Sequence, residues 1–166
     1  MHMKKTVLKE RTVPGLHEHL LDTICVQNKA ANILDLGCGT GAWLARLQEN
    51  GYSNLSGADI DGSQLGINGI VFCPVDLNGD GLNGIDGSYD LISAIEFIEH
   101  IGDISNLLNF VSKRLRADGQ FLVSTPNVNS LTARVRLAMN GKLRHFDQYG
   151  DQTHVTPIFI EPFVRL

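Results

Sequence analysis

The run Ile33-Leu34-Asp35-Leu36-Gly37-Cys38-Gly39-Thr40-Gly41 decides the reading of this chain. Residues 32–36 form a short apolar stretch, too brief for a helix and continuous rather than alternating. That is the pattern of a strand buried on both faces. Three glycines at alternate positions follow, permitting the positive φ angles of a sharp turn and letting a ligand approach bare backbone. A helix candidate begins at Ala42. Its amino terminus offers unpaired N–H groups and partial positive charge to an anion.

Further along the chain the same punctuation repeats. Apolar runs at 55–58, 70–75, 91–95 and 120–124 are bounded by Gly, Asn and Asp. Helix candidates lie at 14–28, 42–50, 61–68 (short and weakly patterned), 103–115 and 128–139. In the first, Leu16, Leu20, Leu21 and Ile24 fall on one face. In the fourth, Ile104, Leu107, Leu108, Val111 and Leu115 make an apolar stripe. Strands alternating with helices predict an α/β fold of the Rossmann-like, doubly wound kind. Its sheet is mostly parallel, has helices on both faces, and receives ligands at the carboxyl ends of its strands.

Bulk properties are compatible with one domain over residues 1–166: a helical segment at 1–29, a binding core at 30–127 and a further segment at 128–166. The chain is 43% apolar and 19% charged, which argues against disorder. A net charge of -4 gives no general attraction to nucleic acid or anionic membrane. Cys25, Cys38 and Cys73 form no Cys-x-x-Cys pair and are odd in number, so neither a disulfide framework nor zinc is indicated. No run reaches membrane-spanning length and no secretory signal is read at 1–15, so a reduced, cytoplasmic setting without membrane insertion is expected.

The glycine turn alone fits two chemistries. Gly37-x-Gly39-x-x-Ala42 satisfies a dinucleotide fingerprint, with Asp59 at a suitable distance for a ribose. Asp35 separates them. A carboxylate two residues before the first glycine repels a pyrophosphate but suits S-adenosylmethionine, whose amino-acid end carries an ammonium for Asp35 and a carboxylate for the loop amides.

Residues 35–41 resemble the signature loop of the class I S-adenosylmethionine-dependent methyltransferases, and later landmarks follow in that family's order over about residues 30–156. Gly57-Ala58-Asp59-Ile60-Asp61 resembles the end of the second strand, which places Asp59 on the ribose hydroxyls. Pro74-Val75-Asp76-Leu77 resembles the end of the third, which places Asp76 on the adenine amino group. Residues 89–100, ending Glu96-Phe97-Ile98-Glu99-His100, resemble the fourth strand and its glutamate-histidine close. Residues 115–123 resemble the turn and fifth strand. Pieces between Pro126 and His154 are similar to a subgroup that modifies small molecules or sugars. The resemblance thus implies a cofactor set of Asp35, Gly37, Cys38, Gly39, Gly41, Asp59, Ile60, Asp76, Leu77, Ala94 and Glu96. It also implies S-adenosylmethionine as donor, S-adenosylhomocysteine as product and a small-molecule acceptor.

Plainer roles stand beside these. Asp59 or Asp61 is placed to cap the helix candidate after the second strand; Asp61 is taken as the cap and Asp59 as the ligand. Asp76 is equally suited to a turn before Asn78-Gly79. Trp43 reads as core or pocket wall. Glu96 and His100, four apart, are spaced as a helical pair, with Glu99 facing solvent. His100 is the candidate general base at the acceptor side, His145 and His154 being weaker ones. His17 and His19 read as surface residues, and no histidine spacing indicates a metal. Arg134, Arg136, Lys142 and Arg144 form a basic stretch, either a solvated helix face or a seat for an acidic acceptor.

Two other functions share these motifs: a catalytically silent S-adenosylmethionine-binding module and an NAD(P)-dependent oxidoreductase. A spermidine-synthase-like enzyme does not fit, because no dense acidic acceptor site is present. The family's sheet has seven strands, and only five are legible by Ser124. The expectation is therefore a fold lacking its last two strands, with Val155 and residues 158–160 as one short edge strand and an uncovered fifth strand that favours a homodimer.

Overall fold

The computed structural model describes residues 8–165. Five strands, β1 (Asn32–Leu36), β2 (Asn54–Asp59), β3 (Val71–Pro74), β4 (Tyr89–Ile95) and β5 (Leu115–Ser124), form one sheet in the order β3-β2-β1-β4-β5. All four pairings are parallel. The order reverses between β1 and β4, so the loops leaving these two strands diverge and open a crevice at their carboxyl ends. This is the Rossmann-like arrangement expected from the sequence.

Both faces of the central strands β1 and β4 are covered, which explains why these two read as near-continuous apolar runs. Ile33, Leu91, Ile95 and Leu122 pack with Leu20 and Ile24 at the amino-terminal end and with Trp43, Leu44 and Leu47. These come from or just beyond α1 (Leu16–Asp22) and from α2 (Ala42–Glu49). Neighbouring positions Leu34, Leu36, Ile92 and Ala94 point the other way. They meet Leu107, Phe110 and Val111 of α3 (Ile104–Arg114), together with Leu77 and Leu82. Asp103 caps α3 by accepting from the Asn106 N–H at 2.9 Å.

Several elements depart from the sequence reading. The first helix covers only Leu16–Asp22 rather than 14–28, after a left-handed Gly15. The candidate at 61–68 is a single 3₁₀ turn, Gly62–Gln64. Gly62, Gly66 and Gly69 lower the helix propensity of that segment, and its backbone turns to other partners: Gly66 N–H donates to the Thr40 carbonyl at 3.0 Å. The cap itself is where it was expected, since Asp61 accepts from Ser63 N–H at 2.8 Å.

β5 begins five residues earlier than expected, because its register slips: Tyr89 faces Leu115, whereas Leu91 faces Gln120. The extra residues, Arg116–Gly119, bulge outward, and Arg116 ion-pairs with Asp90 at 2.7 Å. Beyond β5 come α4 (Leu131–Asn140), capped by Ser130, and the short α5 (Ile160–Phe163). The expected edge strand at 155 and 158–160 does not form. Val155 and Thr156 instead donate their N–H groups to the Glu99 carbonyl, both at 2.9 Å, and residue 160 opens α5. Among the described residues, no helix is long and apolar enough to cross a membrane.

Candidate functional site at the carboxyl ends of the strands

The glycine loop leaves β1 with Gly37, Gly39 and Gly41 all at positive φ (72°, 51° and 78°). Their surroundings differ. A Cβ on Gly37 would fall inside the Phe97 ring, and one on Gly41 would come within 2.6 Å of Ile67. A Cβ on Gly39 would meet nothing within 4 Å, so this glycine faces open space. Gly37 and Gly41 are glycine because of protein packing, and Gly39 lines the crevice.

The loop amides are largely committed. Gly37 and Cys38 N–H donate to the Ala58 carbonyl, Gly41 N–H to the Cys38 carbonyl and Gly39 N–H to Asp59 Oδ2 at 2.8 Å. These four N–H groups already have acceptors within the protein. What remains is the first turn of α2, whose N-cap Gly41 supplies no side-chain cap. Cys38 turns its side chain inward against Gly57, and burial pushes its thiol well above the ordinary range, so it is no nucleophile.

Asp59 closes β2 with both oxygens engaged, Oδ2 by Gly39 and Oδ1 by Ile60 N–H at 2.7 Å. Oδ1 also accepts the Asp61 N–H at 3.5 Å, so of a carboxylate's about four acceptor positions the free one lies on Oδ2. Next to it, Ile60 leaves its large apolar side chain 71% exposed. Val75 N–H donates to the Asp59 carbonyl, which brings Asp76 alongside. Asp76 is exposed and accepts from Asn78 N–H at 2.9 Å, an Asx turn. Leu77 and Ala94 are buried in the core, leaving only their backbones to face a ligand.

Asp35 is the least expected group in detail. It is 3% exposed and accepts the Ser93 hydroxyl at 2.7 Å, while Ser93 accepts the Trp43 indole N–H at 3.1 Å. Burial pushes the Asp35 carboxyl up to about 7, with the Asp59 carboxylate adding to the rise and the Ser93 hydroxyl opposing it. The sequence reading missed Ser93. Its signal was a hydroxyl inside the otherwise apolar run 91–95.

Past β4 the chain turns at Glu96, a non-glycine residue at φ 49°. Glu96 is tied to β5: its N–H reaches the Ser124 carbonyl, and its Oε1 accepts the Ser124 hydroxyl at 2.9 Å. The expected Glu96–His100 helical pair gives way to a 3₁₀ turn, Ile98–His100, and Glu99 is buried rather than solvent-facing. Burial raises the Glu99 carboxyl pKa, and the Glu96 carboxylate adds to it. His100 is half-buried, with Nδ1 3.1 Å from the Thr153 carbonyl and 2.9 Å from the Thr153 hydroxyl. Burial, and then His154, lower its pKa below the ordinary imidazole value. Since Phe97 packs on Gly37, this segment borders the glycine loop.

Of the remaining histidines, His154 has moved next to His100, their rings 4.7 Å apart edge to face. His145 contributes its carbonyl to His154. His19 is exposed as expected, but His17 is buried at 3% exposure against Trp43 and the Glu10 carboxylate. α1 turns this face onto α2, which spacing alone did not reveal.

Comparisons with known proteins agree with this geometry. The family model described as "Methyltransferase domain" matches residues 9–160. A Mycolicibacterium smegmatis protein named a probable S-adenosylmethionine-dependent methyltransferase is 29% identical over 130 residues, covering 71% of this chain and 50% of that protein. The ubiquinone biosynthesis O-methyltransferase of Erwinia tasmaniensis is 26% identical over 106 residues, 59% of this chain and 43% of its own length. The chain thus spans about half the length of the curated relatives it matches. Among solved structures, a SAM-dependent methyltransferase from Archaeoglobus fulgidus shares the fold with a TM-score of 0.67 at 21% identity, over 90% of this chain and 64% of that one. A glycine-turn crevice on a β3-β2-β1-β4-β5 sheet, matched by the family model over residues 9–160, places the chain in the methyltransferase domain family.

Proposed function

We propose that this chain binds S-adenosylmethionine at the carboxyl ends of β1 to β4 and transfers its methyl group to a small-molecule acceptor approaching past β4. One observation carries the reading: the open face of Gly39 lies between the buried Asp35 and the Asp59 carboxylate that clamps the loop. The residues present fit the cofactor. Asp35 suits an ammonium, the uncapped start of α2 a carboxylate, Asp59 Oδ2 a hydroxyl, and exposed Ile60 a flat apolar ring. Gly37, Cys38, Gly41, Leu77, Ala94 and Glu96 shape the walls through backbone and packing, and Asp76 sits at the rim with its outer oxygen free of the turn bond.

S-adenosylmethionine supplies a methyl group already activated on a sulfonium sulfur. The protein's share is to hold the acceptor in line and exclude water. Because the Thr153 carbonyl can only accept, His100 carries its hydrogen on Nδ1, which leaves the Nε2 lone pair unprotonated. A relative named as a ubiquinone biosynthesis O-methyltransferase supports the acceptor class.

Transfer of radiolabelled methyl from S-adenosylmethionine across a panel of metabolites and sugars tests the reading. The wild type is expected to label an acceptor, and Gly39→Val to abolish labelling, since a branched side chain at φ 51° both strains the turn and fills the crevice. Equal labelling by the two proteins would leave the loop with a structural role alone.

A further inference from the structure

Glu99, His100 and His154 come together from segments more than fifty positions apart, and their ligand atoms lie within 4.8 Å of one another. Glu99 is 1% exposed, and its Oε2 makes no hydrogen bond of ordinary length, the buried Thr125 hydroxyl being a polar neighbour of this carboxylate. A buried carboxylate oxygen is costly unless a donor or a cation meets it, and one hydroxyl leaves most of its charge uncompensated.

His154 turns its Nε2 toward Glu99, and the His100 ring stands edge to face beside it at 4.7 Å. His100 Nδ1 faces the Thr153 carbonyl at 3.1 Å, and His154 Nδ1 faces the His145 carbonyl at 3.0 Å. A carbonyl only accepts, so both imidazoles hold their hydrogen on Nδ1 and keep an Nε2 lone pair. Metal-ligating histidines are fixed in this way, one ring nitrogen donating to the protein and the other to the ion. His154 Nε2 lies 3.9 Å from Glu99 Oε1. That is too long for a hydrogen bond. Two tetrahedral ligands each about 2.0–2.2 Å from one ion sit roughly 3.3–3.6 Å apart, so a side-chain adjustment of a few tenths of an ångström would bring this pair onto one metal.

The backbone holds the group in place. Val155 and Thr156 N–H both donate to the Glu99 carbonyl, and the Thr156 hydroxyl donates to the Ile101 carbonyl at 2.7 Å. The described non-glycine residues with positive φ are Glu96 and His145, which flank the cluster. Strain of this kind persists where surrounding structure over-determines it.

We propose that Glu99, His100 and His154 form a binding site for a divalent first-row transition-metal ion. Two imidazoles and one carboxylate suit zinc, iron(II) or manganese(II) better than magnesium or calcium, and three protein ligands leave coordination positions open. The site stands outside the glycine loop, so it goes beyond the methyl-transfer reading. It borders the acceptor side, where a cation would bind an acceptor oxygen and ease loss of its proton. His100 then serves as a ligand in place of a general base.

Calorimetric titration of Zn²⁺ into the EDTA-treated 166-residue chain, with no cofactor added, tests the site alone. One ion per chain is expected, with a Kd of about 10 µM or tighter and a much weaker response to Mg²⁺. Glu99→Gln and His154→Ala are each expected to weaken binding at least roughly tenfold, and exposed His19→Ala to leave it unchanged. As a second readout, Zn²⁺ is expected to raise the melting temperature of the wild type and not of His154→Ala. Absence of binding to the wild type at about 100 µM Zn²⁺, or undiminished binding in both ligand variants, would overturn the proposal.

Discussion

At the scale of single residues, Asp35 shows how a site is set against stability. Its ordinary pKa is 3.8, and burial raises it to about 7. The folded chain therefore holds a proton that the unfolded chain releases. The resulting cost is absent below about pH 4, grows as pH rises, and is complete above about pH 7. Asp35→Asn keeps an acceptor for the Ser93 hydroxyl and removes the charge. We expect the variant to be more stable than wild type at pH 8 by on the order of 2–4 kcal/mol, the gap narrowing by roughly 2 kcal/mol at pH 5. Urea denaturation at the two pH values checks this, and a pH-independent difference would mean that charge is not the cause. The same variant should bind the cofactor less well, because the carboxylate that burdens the fold is the one suited to an ammonium.

At the scale of elements, β5 is an edge strand with no described segment paired outside it. The helix that follows it, α4, leaves Leu131, Val135 and Met139 exposed at a spacing of four. An open row of N–H and C=O groups beside an apolar stripe favours pairing with a second copy. Light scattering is expected to show twice the 18.2 kDa chain mass at high concentration, and a persistent monomer would argue against pairing. The central strands β1 and β4 were legible in sequence because burial on both faces writes a near-continuous apolar run. Helices were less so: the segment after β2 has helix-like length, but Gly62, Gly66 and Gly69 let it fold as a 3₁₀ turn and coil. The bulge at Arg116–Gly119 hid the true start of β5, since four residues lie outside the pairing register.

At the scale of the whole molecule, the parallel order brings together groups that local pattern reads singly. The placement of Asp35, Gly39, Asp59 and Ile60 at the strand ends was legible in sequence because each lies at the close of a strand or in its turn, where an α/β sheet offers a crevice. Ser93 under Asp35 and His154 beside Glu99 were not. They are separated from their partners by more than fifty positions, and only the β1–β4 pairing and the return of residues 153–156 onto Glu99 create those contacts. Asp76, by contrast, was legible as either ligand or turn, and its bond to Asn78 shows that the turn role is filled whatever else it does.

The most direct test of S-adenosylmethionine binding in this crevice is calorimetric titration with S-adenosylhomocysteine, set beside NAD, for wild type and Asp59→Ala. Saturable one-to-one binding of S-adenosylhomocysteine and no NAD heat are expected. Asp59→Ala should lose more than about tenfold in affinity, as removal of charge-assisted hydrogen bonds costs on the order of 1.5–3 kcal/mol. NAD binding without S-adenosylhomocysteine binding, or unchanged affinity in a folded Asp59→Ala protein, would contradict it.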